Sequence, residues 1–433
     1  MHRRTSIVVT AIVALTIGYM MGGPWVSAQQ RGTSVAAVAG LVGGQDVFGP
    51  YEVDENWPKP MSAMPNHDGW TWGAGSGVFA QSANRVYFVQ HGELPDVKRP
   101  MTTKLNNMGP SIFFPIGRLP YRDTTSASPP GNGGSGALAE TGMDAWFKAG
   151  NKMGVDARWE HNIVVLDSQG NVLPDTANFM KWDAMMQRPH SITMSPYDAE
   201  KAVWFIDDHK HVVHKYTNDG KTELLTIGTW GVPGADGTHL NRPTFIDFFP
   251  NGDLVIADGY NGTRVAKFDK NGKFIKDWGM KGNNMNDTRP GYFNNVHGIG
   301  VDPKTLNVYV NDRGNHRAQM FDKDGNFKYQ FKFGDNPSDI HLLHVSSDGY
   351  IWAADRGTSK MLKYDMEGHF LYSWGTWGDF KGGFWGVHDF SVDNEGNFYT
   401  AEVDKGGPQK FMPRKGANAA YLYAKPLRVA WKE

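Results

Sequence analysis

Apolar and polar residues follow one another in short runs along most of this chain, and the same order of runs returns several times. In 242–279 and in 295–334, an apolar run leads through an Asp/Asn/Gly turn to a second apolar run ending in Asp, then to a run ending in Phe-Asp and an aromatic run ending in Gly. A third copy occupies 340–375, and less regular copies occupy 189–228 and 387–412. Runs such as DLVIAD and NVYVND are rich in β-branched residues, which predicts buried strands. Helical periodicity is nearly absent, so we expect an all-β chain.

Corresponding positions in successive copies give the period of the repeat. These positions are His190, Thr244, His297, His341 and His388. They lie 54, 53, 44 and 47 residues apart, and about four short strands in a unit of that length indicate one blade of a β-propeller. The segment 75–171 supplies one further unit, which brings the count to six. We therefore predict a six-bladed β-propeller over 75–433, because radial repetition explains the long period and a sandwich does not.

Residues 92–158 interrupt the repeat inside the first blade. This stretch includes SASPPGNGGSGALAETG, which has no propeller pattern. It is too long for an ordinary loop, so we expect it to be either functional or mobile. A lid over one face of the ring is one interpretation, and a decoration without a role in the site is the other.

The N-terminus predicts export. Residues 1–28 combine a basic start, an apolar run over 7–21 and the small residues Val-Ser-Ala, as in a Sec signal peptide. We expect cleavage, a periplasmic or secreted mature chain without stable membrane insertion, and an N-terminal extension over 29–74. An uncleaved membrane anchor is the alternative, although the apolar run is short for a membrane span. The absence of cysteine excludes disulfides and thiolate ligands, and a net charge of -1 gives no reason to expect nucleic acid as a partner.

Three of the repeated positions carry a histidine that predicts a metal site. Numbered from the blade that contains Val78, the residues His190, His297 and His388 fall in blades two, four and six. Alternate blades of a six-fold ring lie about 120° apart, so these side chains converge on the axis. Three imidazoles leave one position of a tetrahedral Zn²⁺ open, which is typical of a catalytic site. His341 takes the corresponding place in blade five, so a histidine here does not by itself indicate a metal, and polar residues lining a wet channel are the alternative interpretation.

These motifs resemble the peptidyl-α-hydroxyglycine α-amidating lyases, the lyase domain of the peptidylglycine α-amidating enzymes. The resemblance covers most of 75–412 outside the insertion and implies an NHL-like six-bladed propeller. It rests on RPHSI, VHGIG and VHDF around the three histidines, on SGVFA around Val78, on DGYNGTR and on NDRGNHR. It implies that His190, His297 and His388 bind a catalytic zinc. It also implies a structural calcium held by the backbone carbonyls of Val78 and Ile192 and by Asp389.

The resemblance further implies catalytic roles for Tyr260, in Asp-Gly-Tyr, and Arg313, in Asp-Arg. The expected reaction cleaves the C–N bond of an α-hydroxyglycine-type carbinolamide to an amide and glyoxylate, with zinc polarising the hydroxyl and Tyr260 taking its proton. A packing tyrosine and an interblade salt bridge, for Arg313 and for its counterpart Arg356, are the structural alternatives. Asp207, Asp258, Asp312 and Asp355 recur at one strand end and predict structural turns or interblade acceptors.

Two positions depart from the family pattern. The first-blade arginine is His91 in this chain, and a pocket methionine two residues before the last histidine is Gly386. Arginine offers a planar fork for a carboxylate, whereas histidine is shorter and only partly charged near neutrality, so we expect altered carboxylate recognition. His91 is a candidate acid for protonating the leaving nitrogen.

Two further functions remain open at the level of sequence. An exported propeller can act as a binding or scaffold module, with a protein partner on the propeller face or the insertion. A calcium-dependent lactonase or esterase on a similar propeller would need carboxylates and Asn at the axis, where these repeats place histidine. For the lyase we expect a small-molecule or peptide substrate made elsewhere, since no copper-type monooxygenase segment precedes the propeller.

Overall fold

The structure is a computed structural model that describes residues 44–95, 161–179, 188–282 and 287–431. The predicted signal peptide lies outside the described residues, as do the beginning of the predicted extension and all of the predicted insertion beyond residue 95. No helix within the described ranges has the length and apolarity needed to cross a bilayer.

Short strands are the main regular structure of the described chain, and they form six blades. The segment before the first blade contains β1 (Gly44–Asp46), β2 (Tyr51–Val53) and β3 (Trp70–Thr71). Blade 1 contains β4 (Ala74–Ser82), β5 (Arg85–His91) and β7 (Ile163–Leu166), and β6 (Leu94–Pro95) pairs with β3 beside it. Blade 2 contains β8 (Pro189–Met194), β9 (Val203–Asp207), β10 (Val212–Tyr216) and β11 (Glu223–Ile227). Blade 3 contains β12 (Pro243–Phe248), β13 (Leu254–Asp258), β14 (Arg264–Phe268) and β15 (Phe274–Trp278).

The second half of the ring repeats this arrangement. A short parallel pair, β16 (Met280–Lys281) and β17 (Tyr292–Phe293), precedes it. Blade 4 contains β18 (Val296–Val301), β19 (Val308–Asp312), β20 (Arg317–Phe321) and β21 (Phe327–Lys332). Blade 5 contains β22 (Ile340–Val345), β23 (Ile351–Asp355), β24 (Lys360–Tyr364) and β25 (Phe370–Trp374). Blade 6 contains β26 (Val387–Val392), β27 (Phe398–Glu402) and β28 (Pro408–Pro413). The described helices are short 3-10 helices at Met61–Ala63, Pro174–Phe179, Arg313–Asn315 and Ala419–Tyr421.

The first strand of each blade lines the axis, and the ring is closed. Each of these strands contacts the first strand of the next blade, and β26 of blade 6 contacts β4 of blade 1. The N-terminal segment completes two outer edges, because β2 pairs antiparallel with β28 and β1 pairs parallel with β25. Tyr51 on β2 packs its ring 5.3 Å from that of Trp374 in blade 5, and burial of such a side chain contributes about 2 kcal/mol. The six-bladed prediction is confirmed, and the described residues before 75 add strands to blades 5 and 6.

Repeated carboxylates fix the ends of the second strands. Asp258 accepts a hydrogen bond from the backbone N–H of Asn241, and Asp312 and Asp355 accept the equivalent bonds in their blades. Asp207 accepts from the N–H of Arg188. These bonds tie each second strand to the chain entering its own first strand. The prediction of structural roles for these four aspartates is confirmed.

Candidate metal centre

The side chains of His190, His297 and His388 converge at the axis of the ring. Each is the second residue of a first strand, on β8, β18 and β26. One ligand nitrogen from each lies within 4.8 Å of the other two, and all three residues are buried. The three histidines that were predicted from the sequence therefore come together, because they occupy equivalent positions in alternate blades.

Backbone carbonyls of the neighbouring blades orient these imidazoles. The Nδ1 atoms of His190, His297 and His388 lie 2.8, 2.7 and 2.6 Å from the carbonyl oxygens of Thr244, His341 and Ser76. A carbonyl can only accept, so each Nδ1 carries the proton and each Nε2 keeps its lone pair. Metal-binding histidines are commonly held in this way. The backbone carbonyl of His341 therefore helps to orient the imidazole of His297. The side chain of His341 places its Nε2 3.3 Å from Oδ2 of Asp339.

Burial keeps the three imidazoles neutral. It lowers the pKa of His190 to about 3 and those of His297 and His388 well below the ordinary value. Charged neighbours contribute less, with Asp208 raising the pKa of His190 and Arg313 lowering that of His297. Protons therefore do not compete for the lone pairs near neutral pH. Three neutral nitrogen donors without thiolate fit a borderline divalent cation such as zinc.

Tyr260 places its hydroxyl between two of the histidines. The oxygen lies 3.1 Å from Nε2 of His190 and 3.0 Å from Nε2 of His297. The tyrosine stands in the loop after β13, which can approach β18 because residue 259 is glycine: a Cβ there would lie 1.3 Å from the carbonyl oxygen of Val296. The structure therefore brings the predicted tyrosine to the predicted metal ligands.

Arg313 lies near His297 and is held by an ion pair that joins two blades. Its Nε and Nη2 lie 2.6 and 2.9 Å from the two carboxylate oxygens of Asp339, which precedes blade 5. Arg356 likewise pairs with Asp404, with 2.7 Å between Nε and Oδ2. Burial alone would raise the pKa of Asp339, but His341 and Arg313 hold it well below the ordinary value. The interblade salt bridges that the sequence left as an alternative are therefore present, and Arg313 also lies close enough to lower the pKa of His297.

His91 is buried beside this centre in an environment that opposes the predicted acid role. Burial, followed by the nearby Arg188, lowers its pKa well below the ordinary value, and its Nε2 lies 2.9 Å from the carbonyl oxygen of Pro189. An imidazole that is neutral near pH 7 and hydrogen-bonds a carbonyl is a poor proton donor. The structure instead favours a positioning role, because Pro189 directly precedes His190 on β8.

Gly386 departs from the family pattern for a steric reason. Its φ is +78°, and a Cβ would lie 2.5 Å from a carboxylate oxygen of Asp404. The carboxylate that pairs with Arg356 therefore occupies the space of a side chain at this position.

The three predicted calcium ligands line one cavity inside the ring. Val78, Ile192 and Asp389 border a space of about 150 Å³, and Oδ2 of Asp389 accepts a hydrogen bond from the N–H of Val78 at 3.0 Å. Burial raises the pKa of Asp389 to about 8. A buried carboxylate that is costly to ionise alone fits a hard cation. Phe245, which packs against all three histidine rings, also borders this cavity.

The sequence did not indicate a buried cluster of one carboxylate and two guanidinium groups beside His190. Asp208 accepts from Arg188 at 2.7 Å and from Arg242 at 2.7 Å. The guanidinium of Arg242 lies 4.6 Å from the ring centroid of Tyr260. A signal was present, because Arg-Pro opens the first strand in both RPHSI and RPTFI. Asp247, whose pKa burial raises to about 7, also lines the inner cavity and was not predicted.

Comparison with known proteins finds similarity to peptidylglycine α-amidating enzymes and to an NHL-repeat protein. No protein-family model matches it. It is 28% identical over 270 residues to peptidyl-glycine alpha-amidating monooxygenase A of Xenopus laevis, an alignment that covers 60% of this chain and 28% of that protein. It is 32% identical over 150 residues to peptidyl-alpha-hydroxyglycine alpha-amidating lyase 1 of Drosophila melanogaster, covering 33% of this chain and 27% of that protein. It is 30% identical over 182 residues to mouse NHL repeat-containing protein 3, covering 38% of this chain and 50% of that protein.

The matched part of the chain thus spans less than a third of the length of the Xenopus relative. The resemblance predicted from the motifs is confirmed at the level of homology. The chain is a six-bladed, NHL-like β-propeller related to the peptidyl-α-hydroxyglycine α-amidating lyases.

Proposed function

We propose that this chain is an exported, zinc-dependent carbon–nitrogen lyase that cleaves an N-acyl-α-hydroxyglycine to an amide and glyoxylate. The observation that carries the proposal is the hydroxyl of Tyr260, which lies about 3 Å from two of three convergent, neutral imidazoles. Homology to a named amidating lyase supports the same reaction class.

The site offers separate groups for the metal and for the proton. His190, His297 and His388 would hold the zinc through their Nε2 atoms, and the bound ion would act as a Lewis acid toward the substrate hydroxyl. Tyr260 is the group of this chain placed to accept the hydroxyl proton. The residue is half-buried, so part of it remains accessible to solvent.

The reaction balances with a single proton transfer. The hydroxyl oxygen loses its proton, its electrons form the carbonyl of glyoxylate, and the C–N bond breaks with its electrons moving to nitrogen. The nitrogen then takes one proton, which Tyr260 can return because it accepted one from the same substrate. No water or oxidant is consumed.

Guanidinium groups around the site suit a substrate that carries a carboxylate. Arg242 is buried against Tyr260, and within the described part of the chain its Nη1 has no hydrogen-bond partner. Arg313, held by its ion pair with Asp339, also lies close to His297. We infer that Arg242 supplies the carboxylate contact that His91 is too short to provide.

Calcium has a structural role in this proposal. Asp389 follows the ligand His388 directly on β26, and it bridges to Val78 in blade 1. A calcium ion held there by Asp389 and the carbonyls of Val78 and Ile192 would neutralise the buried carboxylate and fix the last blade against the first.

The direct test measures glyoxylate and amide released from N-benzoyl-α-hydroxyglycine by the zinc-loaded protein. Tyr260→Phe should lower kcat about 100-fold or more, because it removes the proton acceptor. Tyr292→Phe is the matched control, since Tyr292 also stacks on an arginine, Arg289, at 3.7 Å but does not contact the three histidines. Equal activity of wild type and Tyr260→Phe, or no release above the uncatalysed rate, would contradict the proposal.

A binding propeller is the second candidate, favoured by the similarity to NHL repeat-containing protein 3. A chain that retains no zinc and releases no glyoxylate, yet forms a stable complex through the propeller face, would support it. Such a result would leave the three histidines as lining of the axial channel.

A further inference from the structure

A second group of convergent metal-ligand side chains lies outside the propeller axis. Nε2 of His67 lies 3.2 Å from Oε1 of Glu93 and 3.3 Å from Nδ1 of His161, and Nδ1 of His161 also contacts Oε1 of Glu93. All three residues are buried, and Glu93 is fully so. Three potential ligand atoms from three side chains therefore meet at one buried point.

Each of these side chains comes from a different segment. His67 precedes β3 in the N-terminal segment, Glu93 stands between β5 and β6, and His161 precedes β7. Pairing of β3 with β6 brings the first two segments together, and pairing of β5 with β7 brings in the third. Glu93 and His161 are 68 residues apart in the chain. The cluster therefore joins two parts of blade 1 that are distant in sequence.

Hydrogen-bonding capacity shows why a cation suits this point. Nδ1 of His67 lies 2.6 Å from the carbonyl oxygen of Pro65, so it carries the proton and the Nε2 of a neutral His67 bears a lone pair. That lone pair faces Oε1 of Glu93, a carboxylate oxygen that can only accept, so no proton of a neutral His67 lies between the two atoms. Lone pairs that face one another in a buried place repel, and a shared divalent cation turns the repulsion into coordination.

We propose that His67, Glu93 and His161 form a second site for a divalent transition metal, with zinc the best-fitting ion. Two imidazoles and one carboxylate are a common zinc ligand set. Two of the three mutual distances, 3.2 and 3.3 Å from Nε2 of His67, match those between tetrahedral ligands about 2.1 Å from one ion, and the contact between Nδ1 of His161 and Oε1 of Glu93 is shorter. A cavity of about 360 Å³, bordered by His161 and Pro65, reaches the site and gives an ion and a water ligand access.

This site acts as a cross-link rather than as part of the reaction at the axis. The chain has no cysteine, so a disulfide cannot join these segments, and a metal ion binds folded ligands far better than unfolded ones. Zinc bound here stabilises the junction between the N-terminal segment and blade 1. The inference does not depend on the proposed lyase activity, since it uses none of the axial residues.

Metal content of the purified full chain, loaded with zinc and then dialysed, tests the proposal. We expect two zinc ions per wild-type chain, one in Glu93→Gln, one in His161→Ala, one in His297→Ala and none in the His161→Ala/His297→Ala double variant. His214→Ala is the matched control, because His214 is a buried histidine paired with Glu223 at 2.9 Å and with no second histidine in that group. It should retain two ions.

Glu93→Gln preserves shape, so it separates metal loss from misfolding. Zinc added to the metal-free protein should raise the Tm of wild type by several degrees more than that of Glu93→Gln, and the Tm of His297→Ala by several degrees more than that of His161→Ala/His297→Ala. In a His297→Ala background, which removes the axial site, bound cobalt should give X-ray absorption typical of mixed nitrogen and oxygen ligands, and this signal should be lost in His297→Ala/Glu93→Gln.

A different result overturns the inference. If Glu93→Gln lowers the Tm but leaves the zinc content and the zinc-induced rise in Tm unchanged, the cluster is an ion-pair network of Glu93 with a protonated histidine. Loss of zinc in His297→Ala alone would support the axial centre and reject the second site. Loss in Glu93→Gln alone would do the reverse, so the two proposals fail separately.

Discussion

Replacement of Asp389 by asparagine should stabilise the metal-free protein at neutral pH, although it removes a predicted calcium ligand. Burial raises the pKa of Asp389 from 3.8 to about 8. Between these two values the unfolded chain releases the proton and the folded chain retains it. The folded state therefore loses stability as the pH rises through this window, and the full stability is present only below the unfolded pKa.

The size of the effect follows from the width of that window. A pH of 7 is about three units above the unfolded pKa of 3.8. Each unit lowers the free energy of unfolding by about 1.4 kcal/mol, so the loss of stability is up to ~4 kcal/mol. Asparagine does not ionise, and its side-chain oxygen can still accept from the N–H of Val78. Its amide nitrogen cannot replace Oδ1 as acceptor for the N–H of Phe390 at 2.7 Å, so ~4 kcal/mol is an upper limit for the gain. At pH 4 the penalty falls to about 0.5 kcal/mol, and the two proteins should be similarly stable.

The assay is denaturant unfolding in a calcium chelator at pH 4 and pH 7. Asp389→Asn should exceed wild type by up to ~4 kcal/mol at pH 7 only, and adding calcium should raise the stability of wild type alone. Asp335→Asn, at an exposed aspartate, is the control and should change stability by less than ~0.5 kcal/mol at both pH values. A difference between Asp389→Asn and wild type that does not vary with pH would refute the reasoning.

Two further predictions concern Arg242 and Gly386. Arg242→Lys should raise KM for an N-acyl-α-hydroxyglycine about tenfold and leave that for its methyl ester unchanged, because lysine lacks the planar fork; steady-state kinetics on both substrates would show this, and an equal effect on both would argue against carboxylate binding. Gly386→Ala should lower the free energy of unfolding by about 2–3 kcal/mol, because it adds a clash with Asp404 to the strain of a φ of +78°. Gly349→Ala, with a φ of +85° but open space around its Cβ, should lose only about 1 kcal/mol in the same denaturant titration. Equal losses in the two variants would show that the contact with Asp404 carries no cost.

The repeat could be predicted from the sequence because each blade is specified by residues that lie close together in the chain. Alternating apolar runs and the turns of Asp, Asn and Gly define each blade, and Gly272 and Gly325 indeed adopt positive φ in those turns. The spacing of His190, His297 and His388 then gave the axial site, because equivalent positions in a closed ring point to one axis. The structure adds the reason that His341 differs: it serves His297 through its backbone carbonyl.

Features that depend on distant parts of the chain were not predicted. The strands β1 and β2 are three residues each, too short to show a pattern, and they form only because blades 5 and 6 offer open edges. The cluster of His67, Glu93 and His161 has no regular spacing, since strand pairing alone brings it together. The acid role of His91 was inferred from residue type, and only the structure reveals the burial that opposes it.

The central claim is that three axial histidines bind a metal, and the most direct test is the zinc content of variants in a Glu93→Gln background. That background removes the second proposed site from the count. Glu93→Gln should hold one zinc per chain, Glu93→Gln/His341→Ala should also hold one, and Glu93→Gln/His297→Ala should hold none. Zinc that persists without His297, or that is lost equally with His341, would contradict the account.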